Sequence, residues 1–114
     1  MTPFIPQGPS AVINWTDDST DTSVTLDTNQ FGMPNCLLVV NPDTNDEVAF
    51  NYGFDPLDTN ARLPTSGADG IGTIIGRSSS VMLRIDSLYR TGNLYLSAAG
   101  HSGTGNVYVT PGVL

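Results

Sequence analysis

The sequence predicts an all-β, single-domain β-sandwich, jelly-roll or immunoglobulin-like, of about eight short strands with an extended N-terminal arm. Three observations predict it. Apolar residues recur with period two in short runs. No stretch sustains the i, i+3, i+4, i+7 spacing of an amphipathic helix. Gly, Pro, Asn and Asp fall between the runs, where chain reversals need them. The 114 residues suit one domain, able to bury roughly 65% of its unfolded surface without staples.

Residues 1–10, MTPFIPQGPS, hold three prolines and a glycine, a density that excludes helix and central strand and predicts an extended arm. The β-sandwich domain is expected over 11–114. AVINW (11–15) places Ala11, Ile13 and Trp15 on one face. TSVTL (22–26) turns Val24 and Leu26 inward. CLLVV (36–40) is apolar without alternation, as in a central strand. EVAFNY (47–52) groups Val48, Phe50 and Tyr52, and GTIIG (72–76) is short and bounded by glycines. SVMLRID (80–86) puts Val81, Leu83 and Ile85 inward, with Met82, Arg84 and Asp86 outward. NLYLSA (93–98) and NVYVT (106–110) complete the set. Turn residues join them at Asn41-Pro42, Asp69-Gly70, Thr91-Gly92-Asn93 and Gly103-Thr104-Gly105. The stretch 53–70 has two prolines and no periodicity, and a loop of that length is expected to be a functional or interaction surface.

Charged residues make up 13% of the chain, about half the usual ~25%, and lysine is absent. The formal net charge is −7. Such a chain repels phosphate backbones and anionic lipid, so nucleic acid and membrane are not expected partners. Arg62, Arg77, Arg84 and Arg90 are too dispersed for a basic stripe. The single cysteine, Cys36, excludes an intrachain disulfide and reads as a buried apolar residue. This suits assembly in a reducing cytoplasm. The N-terminal residues lack the charged and apolar regions of a signal peptide, and no run approaches the ~18 apolar residues of a membrane helix.

GHSGTG (100–105) begins like the G-x-S-x-G elbow of serine hydrolases, but Thr104 stands where the second glycine belongs. That motif also needs a strand-to-helix turn, and Ser102 falls between two strands, so a hairpin turn is expected and no catalytic residue is assigned. DGIGTIIG (69–76) fails the dinucleotide fingerprint at Ile75, and no cofactor is expected. The acidic groups DDSTD (17–21), DTNDE (43–47) and DPLD (55–58) lack the calcium-loop spacing and read as capping aspartates. His101 alone cannot build a zinc site, so no metal is expected. Trp15, Tyr52, Tyr89, Tyr95 and Tyr108 suggest a sugar-stacking platform only if they form one patch.

Three stretches together carry a resemblance: PFIPQGPSAVI at the start, LVVNPDTNDEVAFNYG in the middle and LYLSAAGHSGTGNVYVTPG at the end. This layout resembles a group of small virion structural proteins of tailed bacteriophages. The chain departs from that pattern at Asn51, where an apolar residue is common, and at Val113-Leu114, where a glycine is usual. The resemblance implies a non-enzymatic capsid cement or decoration protein, resident in the virion after assembly in the host cytoplasm. Its partners would be the major capsid protein or another virion protein, and further copies of itself, with a homotrimer expected. Phe4, Ile5 and Pro6 of the arm are the candidate partner-binding residues, set either on a neighbour or back on their own domain. A tail or fibre-attachment component and a carbohydrate- or cell-surface-binding module are the alternatives.

Overall fold

The computed structural model describes residues 4–7, 10–15, 22–27, 34–55, 60–64, 67, 69–85, 93–100 and 103–114. These form two antiparallel sheets with no helix among the described residues. The strands are β1 (Ile5–Pro6), β2 (Ala11–Trp15), β3 (Thr22–Asp27), β4 (Cys36–Asn41), β5 (Val48–Gly53), β6 (Thr73–Ile75), β7 (Ser79–Arg84), β8 (Asn93–Gly100) and β9 (Gly105–Val113). Sheet A carries β9, β4 and β7 in that order, with β1 and β2 both on the outer side of β9. Sheet B runs β3-β8-β5-β6.

The pairing is nested: β2 with β9, β3 with β8, β4 with β7, and β5 with β6. One long hairpin has been rolled up, which is the jelly-roll arrangement. The register shows how regular the roll is. Partner numbers total 120 in the outer three pairs, as in Ala11 with Val109, Thr22 with Ala98 and Cys36 with Arg84. The two arms therefore use equal numbers of residues at the first two corners, whereas at the third, from Asn41 to Val48 and from Ile75 to Ser79, they use seven positions against four. The contacts that close the roll share a second register, with Cys36 opposite Gly112 and Val48 opposite Gly100, both totalling 148.

Inward side chains meet row by row. Ala11, Val109, Val39 and Val81 stand side by side across sheet A, and Ile13 pairs with Val107. Val48, Phe50, Leu94, Leu96 and Ala98 project from sheet B into the same core, with Tyr52 and Phe54 packed at its margin. The alternation in burial is observed in β2, while in β5 and β8 the core-facing residues are joined by Ala49, Ser97 and Ala99, which are buried as well. In β7 it is weaker, since Val81, Met82 and Leu83 are all half-buried. This strand is the last in sheet A. The side chains of Val24 and Leu26, and Asp86, lie outside the described residues.

The glycines of GHSGTG have a structural task. Trp15 is fully buried, and Gly105 lies directly opposite it. A Cβ at Gly105 would stand 2.5 Å from Trp15 Cζ2, and one at Gly100 would strike the other edge of the indole. Both glycines are needed because the ring fills the space between the ends of β8 and β9. Gly103 supplies the left-handed backbone of the turn, at φ 74°. The hairpin expected from the sequence is not formed: β8 belongs to sheet B and β9 to sheet A, so this turn carries the chain from one sheet to the other, and Ser102 and His101 themselves lie outside the described residues.

Asn41 fastens the opposite end. Its fully buried side chain accepts from Asp43 N at 3.1 Å and donates to Asp46 O and Gly76 O, each at 3.0 Å. One amide thereby ties the β4–β5 turn to the β6–β7 turn.

Gly105→Ala is expected to lower stability by about 1–3 kcal/mol, because the added methyl forces the indole out of place. Urea unfolding followed by fluorescence of Trp15 measures it, and the emission of the folded variant should shift to longer wavelength.

Candidate interaction surface

The two sheets are finished differently on their outer faces. Sheet B is roofed by its own chain. Ala61 and Leu63 are fully buried against Ala49 of β5. The roof is pinned by a two-way backbone bridge, Arg62 N to Ile71 O at 3.0 Å and Ile71 N to Arg62 O at 2.7 Å. Arg62 Nε and Nη2 both donate to Asp69 O, at 3.1 and 2.8 Å. Asn51 Nδ2 donates to Asn60 O at 2.8 Å. The unusual Asn51 is therefore a fastener for the roof. The described part of the long 53–70 loop covers sheet B through Ala61 and Leu63 and leaves Arg62, Pro64 and Asp69 exposed. Its signal is Ala61 and Leu63, two apolar residues at spacing two within a polar segment.

Sheet A has an outer face of the opposite kind. The register sets Val12, Tyr108, Val40 and Ser80 in one row and Thr110, Leu38 and Met82 in the next. Val12 is 45% exposed and Tyr108 39%; Leu38, Val40 and Met82 are half-buried. This explains the unbroken CLLVV: Leu37 and Val39 serve the core, while Leu38 and Val40 make the outer face apolar. Ser10 and Thr110 satisfy each other, their hydroxyl oxygens 2.7 Å apart.

At one end of this sheet the arm joins its own domain. Ile5 and Pro6 pair with Val113 and Gly112, and Gln7 N donates to Pro111 O at 2.8 Å. The Phe4 ring lies over Gly112, in the space a Cβ would take. Ile5 stays 52% exposed and Pro6 is also exposed. Beside them Leu114 is 44% exposed. Asn35 holds Leu114 in place, accepting from Leu114 N at 3.0 Å. Ile5, Val113 and Leu114 thus form an apolar lip on a fixed backbone. Of the candidate residues Phe4, Ile5 and Pro6, Phe4 is committed to its own sheet and Ile5 and Pro6 face outward.

Cys36 is fully buried between Gly112 and Arg84, its thiol donating to Gly112 O at 3.2 Å. Burial pushes its pKa up, and the nearby Arg84 offsets only part of that.

Other candidate constellations are not brought together. Trp15 lies inside the core, Tyr52 packs on Phe50 with ring centroids 6.4 Å apart, Tyr95 lies on sheet B and Tyr108 on the outside of sheet A. The aromatics therefore make no common platform, and Tyr89 lies outside the described residues. Asp43 caps its own turn, Oδ1 accepting from Asn45 N at 2.7 Å and Asp46 N at 3.1 Å. The acidic group 17–21 lies outside the described residues. Among the described residues there is no cluster of metal-ligating side chains, and no pocket is found. Comparison with protein-family models, curated proteins and solved structures gives no match.

The raised thiol sets a pH dependence. A folded pKa above the unfolded one means that the fold favours the neutral thiol. That stability is complete below the ordinary thiol pKa and is lost as pH rises through the raised value. The alkaline fall in stability should be shallower in Cys36→Ala. Urea midpoints measured from neutral to alkaline pH on both proteins check this.

Proposed function

We propose that this protein is a non-enzymatic structural component of a bacteriophage virion, a cement or decoration protein that binds the major capsid protein and stabilises the head. The observation that carries the reading is the lip of Ile5, Val113 and Leu114. Apolar side chains exposed on a flexible tail would lose conformational freedom on docking. Here the backbone is already fixed by β1–β9 pairing and by Asn35, so most of that cost is met on folding. Burying Ile5 and Leu114 in a partner contributes about 1.5–3 kcal/mol each. Many copies on a lattice multiply this by avidity.

Two further features support it. Jelly rolls are a recurrent architecture of viral capsid proteins, although fold alone does not assign function. The quoted sequence stretches resemble phage virion proteins, and both departures from that pattern have places in the fold: Asn51 ties the roof, and Val113-Leu114 builds the lip.

The test is co-sedimentation of the purified chain with phage heads assembled without it, together with heat stability of the heads. Saturable binding and a raised melting temperature of the head are expected. Ile5→Asp should weaken binding at least about tenfold while leaving the melting temperature of the free protein nearly unchanged. Phe4→Ala should instead lower the stability of the free protein. Absence of the chain from purified particles would refute the virion reading, and binding to tails alone would move it to the tail.

A further inference from the structure

We propose that the outer face of sheet A is the contact between two copies of this chain, packed face to face about a two-fold axis. An antiparallel sheet exposed on one side normally alternates apolar inward and polar outward. Here β4 is apolar on both sides, and Val12, Tyr108 and Val40 continue the outward apolar surface across three strands. The roof over sheet B shows how this chain treats an apolar outer surface, by covering Ala49 with Ala61 and Leu63. On sheet A, Val12 and Tyr108 remain exposed.

Charge identifies the occupant. The chain carries eleven acidic residues against four arginines. Every outward position of β2, β4, β7 and β9 is described, and none is a carboxylate; the one charged group is Arg84. A basic partner would be drawn to the acid-rich turns and not to this face. A second copy, acidic itself, is repelled over most surfaces, and this face is where two copies meet without opposed carboxylates.

Area and shape agree. The molecule is a slab of 40 × 32 × 20 Å. Its broad face is on the order of 1,000 Å², against about 800 Å² per partner in a stable interface. Asn14 and Asn106 lie opposite each other toward one margin, a polar edge beside an apolar centre. The Ser10–Thr110 pair is already satisfied within the chain, so it can be covered without stranding a hydroxyl. A flat, nearly uncharged surface is complementary to itself, and such an isologous contact closes at two copies. The homotrimer that the resemblance implies would instead need a contact between two different surfaces.

Light scattering coupled to gel filtration, and sedimentation equilibrium from about 1 to about 100 µM, test the pairing on the purified full chain without any virion. A dimer is expected. Tyr108→Asp on β9 and Val12→Asp on the neighbouring edge strand β2 each place a carboxylate on the contacting face among apolar side chains. Each should raise the dimer dissociation constant at least about tenfold. Thr25→Asp, at an exposed position of β3 in sheet B, should leave it unchanged. Melting temperature and Trp15 emission confirm that a variant is folded; Val12 is exposed enough that its variant keeps the test intact should Tyr108→Asp misfold. A monomer throughout the range, a trimer, or a dimer indifferent to both aspartates in folded variants overturns the proposal. Because no capsid enters the experiment, its failure is separate from failure of head binding.

Discussion

The fold depends on one constraint: the two arms of the ribbon stay in step around the two outer corners. From Trp15 to Thr22 the chain advances seven positions, and on the other arm it advances seven from Ala98 to Gly105. From Asp27 to Cys36 it advances nine, as it does from Arg84 to Asn93. A one-residue insertion in either arm would move every side chain beyond it to the opposite face. The core rows, the seat of Trp15 and the apolar outside of sheet A all follow from keeping that register.

Strand positions were legible because period-two alternation is local. β2, β4, β5 and β8 lie within one or two residues of the runs read from the sequence. Pairing was not legible, since Ala11 and Val109 are brought together by equal arm lengths and not by any adjacent signal. The two-residue β1 was missed for a related reason. Pro6 cannot donate a backbone hydrogen bond, but the edge of β9 requires little of it. The continuous run CLLVV did mark a central strand, and its deeper message, two apolar faces, became readable only from the register that sets Leu38 and Val40 on the outside of sheet A.

The candidate site was partly legible. Proline density around Phe4 and Ile5 pointed to an extended segment with apolar residues, and Ile5 does face outward. The division of labour within it was hidden, because Phe4 is retained by Gly112, more than a hundred residues away. The same distance concealed Val113 and Leu114, which join Ile5 only through the β1–β9 pairing. The loop 53–70 was read by length alone, whereas Ala61 and Leu63 make its described part a lid on sheet B.

The nesting of the strands also has a consequence for biosynthesis. A ribosome delivers β1 and β2 first and β9 last, yet these strands pair with one another. Throughout translation β2 and β4 therefore present apolar residues with no neighbour on the β9 side. Closure waits for residues 105–113 to leave the exit tunnel. Such long-range pairing belongs to the slow end of folding kinetics and prolongs the exposure of unpaired strand edges. The chain thus completes its sandwich only once β9 is available, and until then it is most open to capture by chaperones or by other nascent copies.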